Sequence, residues 1–129
     1  MGLDIIIEGG QGGSFRAGSY SGFHAWRTWL ARVIGINIDK LAGYGGPIDP
    51  STLPFFEMFN HSDCDGDLKK RQCKNLSDDF ALYLFVAMES FNEFYTDDDD
   101  SSYFMSKYHE WNRACSLVAE GKAKRLVFC

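Results

Sequence analysis

Long apolar runs are missing from the 129 residues: no stretch approaches the roughly 20 consecutive apolar residues of a membrane span, so no membrane partner is expected. Basic charge is also scarce. Thirteen Lys and Arg against eighteen Asp and Glu leave a net charge of −5 and a pI near 5.0, which argues against DNA or RNA held through the phosphate backbone. Cysteine is limited to Cys64, Cys73, Cys115 and Cys129, and Met1-Gly2-Leu3-Asp4 lacks the charged and apolar regions of a secretory signal. The expectation is a cytoplasmic protein whose thiols are reduced rather than paired in a disulfide framework. Myristoylation is not expected, because Ile6 stands where that signal has Ser or Thr.

Complete cofactor and metal motifs are lacking too. Gly9-Gly10-Gln11-Gly12-Gly13 sits between a strand and a helix but has neither the Lys-Ser/Thr ending of a P-loop nor the dinucleotide fingerprint, so it reads as a hairpin or flexible loop. Asp63, Asp65 and Asp67 alternate like the opening of a calcium loop, yet Gly66 comes two residues early and Lys74 replaces the bidentate Glu. His61, Cys64 and Cys73 have no fourth zinc ligand at paired spacing. No cofactor and no structural metal are expected.

What the sequence does hold is apolar and aromatic: 45% hydrophobic and 16% aromatic residues suit one packed domain, 1–129, with apolar surface to spare for a homo-oligomer interface. Leu3 to Glu8, with three isoleucines, is a short strand. From about Ser21, Phe23, Trp26, Leu30, Val33 and Ile34 follow helical spacing up to Gly35, with His24, Arg27 and Thr28 largely off the stripe and free to face solvent or ligand. Gly43, Gly45, Gly46, Pro47 and Pro50 break the next segment into a long surface loop, and Pro54 to Phe59 is a short helix or a buried strand. A stripe from Leu76 to Phe94 predicts one long helix over about Lys69–Tyr95, the acidic run Asp97–Asp100 predicts a solvated turn, and a third helix covers about Ser102–Glu120. Lys124 to Cys129 is a last strand able to pair with the first. The fold class is therefore mainly α (α+β): about three main helices, a small sheet of the terminal strands, and long loops carrying the site.

Two polar clusters interrupt this apolar pattern. Arg16 and Arg27 offer planar forks of donors suited to phosphate or carboxylate, and Ser19, Tyr20 and Ser21 add hydroxyls beside a helix start. The competing reading is that Ser19 or Ser21 caps the helix and the arginines pair with surface acids. In the second cluster, Asn60 to Asp67, Asp63 or Asp65 can accept hydrogen bonds from a ligand or an arginine, while His61 with Asp63 is the catalytic candidate if the protein is an enzyme. The expected ligand-binding set is Arg16, Ser19, Tyr20, Ser21, His24, Arg27, His61, Ser62, Asp63 and Asp65, with Arg16 and Asp63 lining one pocket from facing loops.

The Met-Gly-Leu-Asp opening, the segment Phe15-Arg16-Ala17-Gly18-Ser19-Tyr20-Ser21 and the segment Ser62-Asp63-Cys64-Asp65-Gly66 resemble a family of uncharacterised proteins from bacteria and their phages. The resemblance covers most of the chain and is concentrated in the last two segments. Its phage distribution implies, by association, a counter-defence protein in the host cytoplasm that handles a host immune signal. Three functions follow as expectations: sequestration of a phosphate-bearing, nucleotide-derived signal; hydrolysis of such a nucleotide by His61 and Asp63; or inhibition of a host protein through the aromatic surplus.

Overall fold

The computed structural model describes the backbone of residues 2–10, 13–62, 65–94 and 98–129, and their side chains except in 90–102. Strand β1 (Gly2–Glu8) turns Leu3, Ile5 and Ile7 into the core, while Asp4 and Ile6 face outward. It pairs antiparallel with β2 (Ser14–Ser19) on one side and β4 (Arg125–Phe128) on the other, and β3 (Asp67–Leu68) adds to β4. The order is β2-β1-β4-β3, so the expected pairing of the terminal strands forms the centre of a four-stranded sheet. The sheet's outer face is laced by Arg16–Asp4 at 3.1 Å and by Arg125, which reaches Glu8 at 3.1 Å and Asp67 at 2.8 Å.

Strand β2 overturns the expectation that Arg16 is carried on a loop. Its Ala, Gly and Ser residues have little strand preference, but β1 offers an edge of backbone donors and acceptors that must be satisfied. The neighbouring α5 covers β2 with Lys107 and Tyr103, which donate to the carbonyls of Arg16 and Ala17.

The helices are α1 (Tyr20–Val33), the single turn α2 (Phe56–Phe59), α3 (Lys70–Leu82), α4 (Leu84–Phe94) and α5 (Asp98–Ala119). They give the fold its mixed α+β character. The expected helix over Lys69–Tyr95 is divided at Tyr83 (φ −96°, ψ 8°), although hydrogen bonds still run from its N–H to Asp79 and from Ala87 to its carbonyl. Periodicity does not register this break, because the same stripe continues on both sides of it; Tyr95 itself lies outside the described residues. Asp98–Asp100 begin α5 instead of forming a turn, a place where the helix dipole favours acid; Asp97 is outside the described residues. Among the described residues no helix is long and apolar enough to cross a membrane.

Between sheet and helices lies an aromatic core. Trp111 of α5 packs against Phe15, Phe23, Trp26 and Phe128, with ring centres 5.1 to 6.0 Å apart. Phe80 meets Tyr108 edge-on at 4.9 Å, and the Tyr108 hydroxyl donates to the Phe80 carbonyl. Phe80, Tyr108, Trp111 and Cys115 are fully buried together, as the periodic stripes predict. Leu84 is half-buried, and the Phe91 side chain is outside those described.

Phe80→Ala should lower stability by about 3–5 kcal/mol. By contrast Leu82→Ala, at a position 71% exposed, should change it by under about 0.5 kcal/mol. Urea denaturation followed by tryptophan fluorescence checks both values.

Candidate functional site

Helix α1 begins with Ser19 accepting the Gly22 N–H at 3.0 Å, so Ser19 acts as its N-cap, with the Ser21 hydroxyl 3.2 Å away. Strand alternation turns Phe15 inward onto Trp111 and Arg16 outward onto Asp4. Arg27 is on α1, behind the sheet's inner face. The two guanidinium groups therefore share no clamp, and Arg16, Ser19, Tyr20 and Ser21 belong to the β2–α1 junction.

Of the two alternatives left open for Arg27, solvent or ligand, burial excludes solvent. The side chain is only 5% exposed. Its guanidinium lies 4.4 Å from the Phe23 ring centre and 5.6 Å from that of Tyr44. Its Nη1 donates to the carbonyl of His61 at 2.9 Å and, more weakly, to that of Met58 at 3.4 Å. Flat, weakly hydrated arginine is suited to this combination of ring stacking and carbonyl binding. The result fastens the 58–62 segment to α1.

The glycine-rich segment forms the third wall. Ala42 donates to Ile48, Ile48 to Lys40 and Gly46 to Leu41, closing residues 40–48 into a compact loop over buried Leu41. Gly46 is required there: a Cβ at this position would stand 2.1 Å from the Lys40 carbonyl carbon. The loop presents Tyr44, whose hydroxyl donates to the Phe59 carbonyl at 2.8 Å and whose ring lies beside His24 at 6.1 Å.

Arg27, Ala42, Gly43, Tyr44, Phe59, Asn60, His61 and Ser62 line a cleft of about 350 Å³. Of the sequence-derived set, the cleft brings together Arg27, His61 and Ser62, with His24 stacked behind its Tyr44 wall. Asp65 is exposed, while Asp63 and Cys64 lie outside the described residues, so the expected Arg16–Asp63 pocket lies outside them too. Tyr44 was missed by the sequence reading; its signal was a single aromatic bracketed by Gly43 and Gly45 within a segment read only as loop.

His61 is tightly held. Its Nδ1 is 2.8 Å from the Ser62 carbonyl, its Nε2 is 3.0 Å from the Asp67 carbonyl, and its ring stacks on Phe128 with centres 3.8 Å apart. Gly66, at φ +97°, allows this close approach, since a Cβ would sit 3.1 Å from the imidazole. Both ring nitrogens are thus directed at backbone oxygens.

A second cleft, about 420 Å³, is acidic: Glu57, Asp78 and Asp79 line it with Asn75, Ser51 and Thr52. It adjoins Phe55, fully buried and in the left-handed region at φ 60°, a costly conformation for a bulky residue. The Phe55 N–H donates to Asp79 Oδ2 at 2.9 Å. Desolvation pushes the Asp79 carboxyl above the ordinary aspartate value, with Glu57 and Asp78 adding to the effect and the Phe55 N–H opposing it. Among the described residues no group of three or more His, Cys, Asp or Glu is placed to hold a metal ion.

Neither a family model, nor a curated protein, nor a solved structure matches this chain.

Arg27→Ala should cost about 2–4 kcal/mol, because two carbonyls lose their donor and the space between two rings empties. Arg27→Lys should recover little of it, since an ammonium cannot reproduce the flat fork; melting curves for both variants check this. Asp79 has its own pH signature. Its raised pKa makes its contribution fully favourable below the ordinary value of 3.8 and lost as pH rises through the folded-state value. Asp79→Asn keeps an oxygen for Phe55 and carries no charge, so its stability relative to wild type should rise across that window, as read by denaturation at pH 3 to 7.

Proposed function

We propose that this protein binds a small anionic ligand of the phosphate-bearing, nucleotide-derived class in the cleft between α1, the 40–48 loop and residues 59–62. One observation carries the reading. Two segments 34 positions apart, represented by Arg27 and His61, meet at a cleft of about 350 Å³, within the usual size range of small-molecule sites. Its described lining includes one cation, Arg27, and no carboxylate, whereas the second cleft carries three. The second cleft repels an anion, and the described lining of the first holds no carboxylate that would do so. Asn60 and Ser62 supply hydrogen-bonding groups, and half-buried Tyr44 supplies ring surface for a flat heterocycle.

Binding is favoured over hydrolysis because both nitrogens of His61 face backbone carbonyls, leaving no nitrogen directed at a substrate. The family resemblance adds the biological sense: a counter-defence protein that removes an immune signal by sequestration.

Purified protein incubated with cyclic nucleotides and cyclic ADP-ribose isomers, freed of unbound ligand and then heated, should return one of them intact. Ser62→Ala and Asn60→Ala should each weaken uptake about tenfold, the worth of one hydrogen bond to a charged group. Arg16→Ala, on the opposite sheet face, should leave uptake unchanged. Return of an altered nucleotide would make the protein a hydrolase, and absence of uptake would end the ligand reading.

A further inference from the structure

A helix that is apolar on all sides belongs in a core, where every side has a partner. Helix α4 opens with Leu84-Phe85-Val86-Ala87-Met88, and only its Ala87 side is accounted for: Ala87 is fully buried and Leu84 half-buried. The other side is open. Phe85 is 76% exposed, Met88 48% and Val86 41%, and Leu82 at the end of α3 is 71% exposed. Positions 82, 85 and 86 follow helical spacing, with 88 one turn beyond 85, and the hydrogen bonds into and out of Tyr83 carry the spiral across the break. These four side chains form a continuous stripe. Among the described residues, the other exposed large apolar side chains, Ile6 and Ile48, stand singly.

Among the described residues, the charged side chains one turn to either side of the stripe are acidic. Asp78 lies one turn before Leu82 and Glu89 one turn after Phe85, so carboxylates bracket it along the helix, Asp78 being paired with Lys74 at 3.5 Å. The surrounding sequence extends the bias: residues 75–106 contain eight Asp and Glu and no Lys, Arg or His, a formal charge of −8 against −5 for the whole chain. The remainder of the molecule is therefore net positive by three.

We propose that this stripe is a docking surface for a basic amphipathic helix of another protein, whose apolar face covers Leu82, Phe85, Val86 and Met88 and whose lysines and arginines complement the negative charge carried by residues 75–106. Charge selects the occupant. An anionic lipid surface is repelled by the same carboxylates, and a second copy stacked stripe to stripe would oppose two acidic segments. A cationic helix gains on both counts, its apolar residues burying the stripe and its rim supplying complementary charge. Phe85 and flexible Met88 are the residue types that anchor such contacts.

The test uses the full chain and two fluorescein-labelled, 18-residue amphipathic peptides with one leucine pattern, one carrying lysine and the other glutamate on its polar face. Fluorescence anisotropy should show binding of the Leu/Lys peptide, weakening with salt, and none of the Leu/Glu peptide. Leu82→Ala combined with Phe85→Ala should reduce that affinity at least about tenfold at an unchanged melting temperature, because both positions are exposed. Glu89→Lys should reduce it without removing any apolar surface, which keeps the test decisive if the double variant folds poorly. Equal binding of both peptides, or wild-type affinity in the variants, would overturn the proposal. So would dimerisation in sedimentation velocity that the double variant abolishes, or flotation with phosphatidylserine vesicles, which would assign the stripe to a second copy or to lipid.

Discussion

Burial of the Trp111 indole is the constraint on which the rest of the molecule depends. Its ring is the common packing partner of Phe15 from β2, Phe23 and Trp26 from α1, and Phe128 from β4. One side chain thereby sets the distance between α5, α1 and two strands. Large rings bury much surface for few lost rotamers, which makes such a cluster an efficient core for a domain of this size. It also has a polar cost. The indole N–H groups of Trp111 and Trp29 are buried without an acceptor among the described residues, while that of Trp26 reaches the Phe104 carbonyl at 3.3 Å.

The cleft is a consequence of that core. With α1 fixed by Phe23, Trp26 and Leu30, its next row places Arg27 at the edge of the buried region, where a guanidinium is tolerable only beside rings and hydrogen-bond acceptors. The Phe23 and Tyr44 rings and the Met58 and His61 carbonyls meet that need, and in doing so draw the 40–48 loop and the 58–62 segment to the same place. The Tyr44 hydroxyl then ties those two segments together through Phe59. Arg27 thus shapes the cleft as well as lining it.

Charge divides the molecule in a way its overall value conceals. Arg27 lies in one cleft, while Glu57, Asp78 and Asp79 crowd the other. Cationic and acidic side chains are thereby set in different regions of the same acidic chain.

Local pattern was enough to determine several elements. The alternation of Leu3, Ile5 and Ile7, the spacing of Phe23, Trp26 and Leu30, and the terminal strand at Arg125–Phe128 depend on near neighbours and were legible in the sequence. The capping by Ser19 was legible as one of two readings. Tertiary structure alone decided that Phe15–Ser19 is a strand, because its pairing is imposed by β1 rather than by its own residues. It alone decided the break at Tyr83, across which the apolar period is unchanged. It also decided that Arg27 is buried and Arg16 is not. Helical spacing says which way a side chain leaves its helix, but whether the place it reaches is wet or dry depends on carbonyls and rings supplied from 17 to 34 positions away. Those contacts are made by folding and have no counterpart in the local sequence.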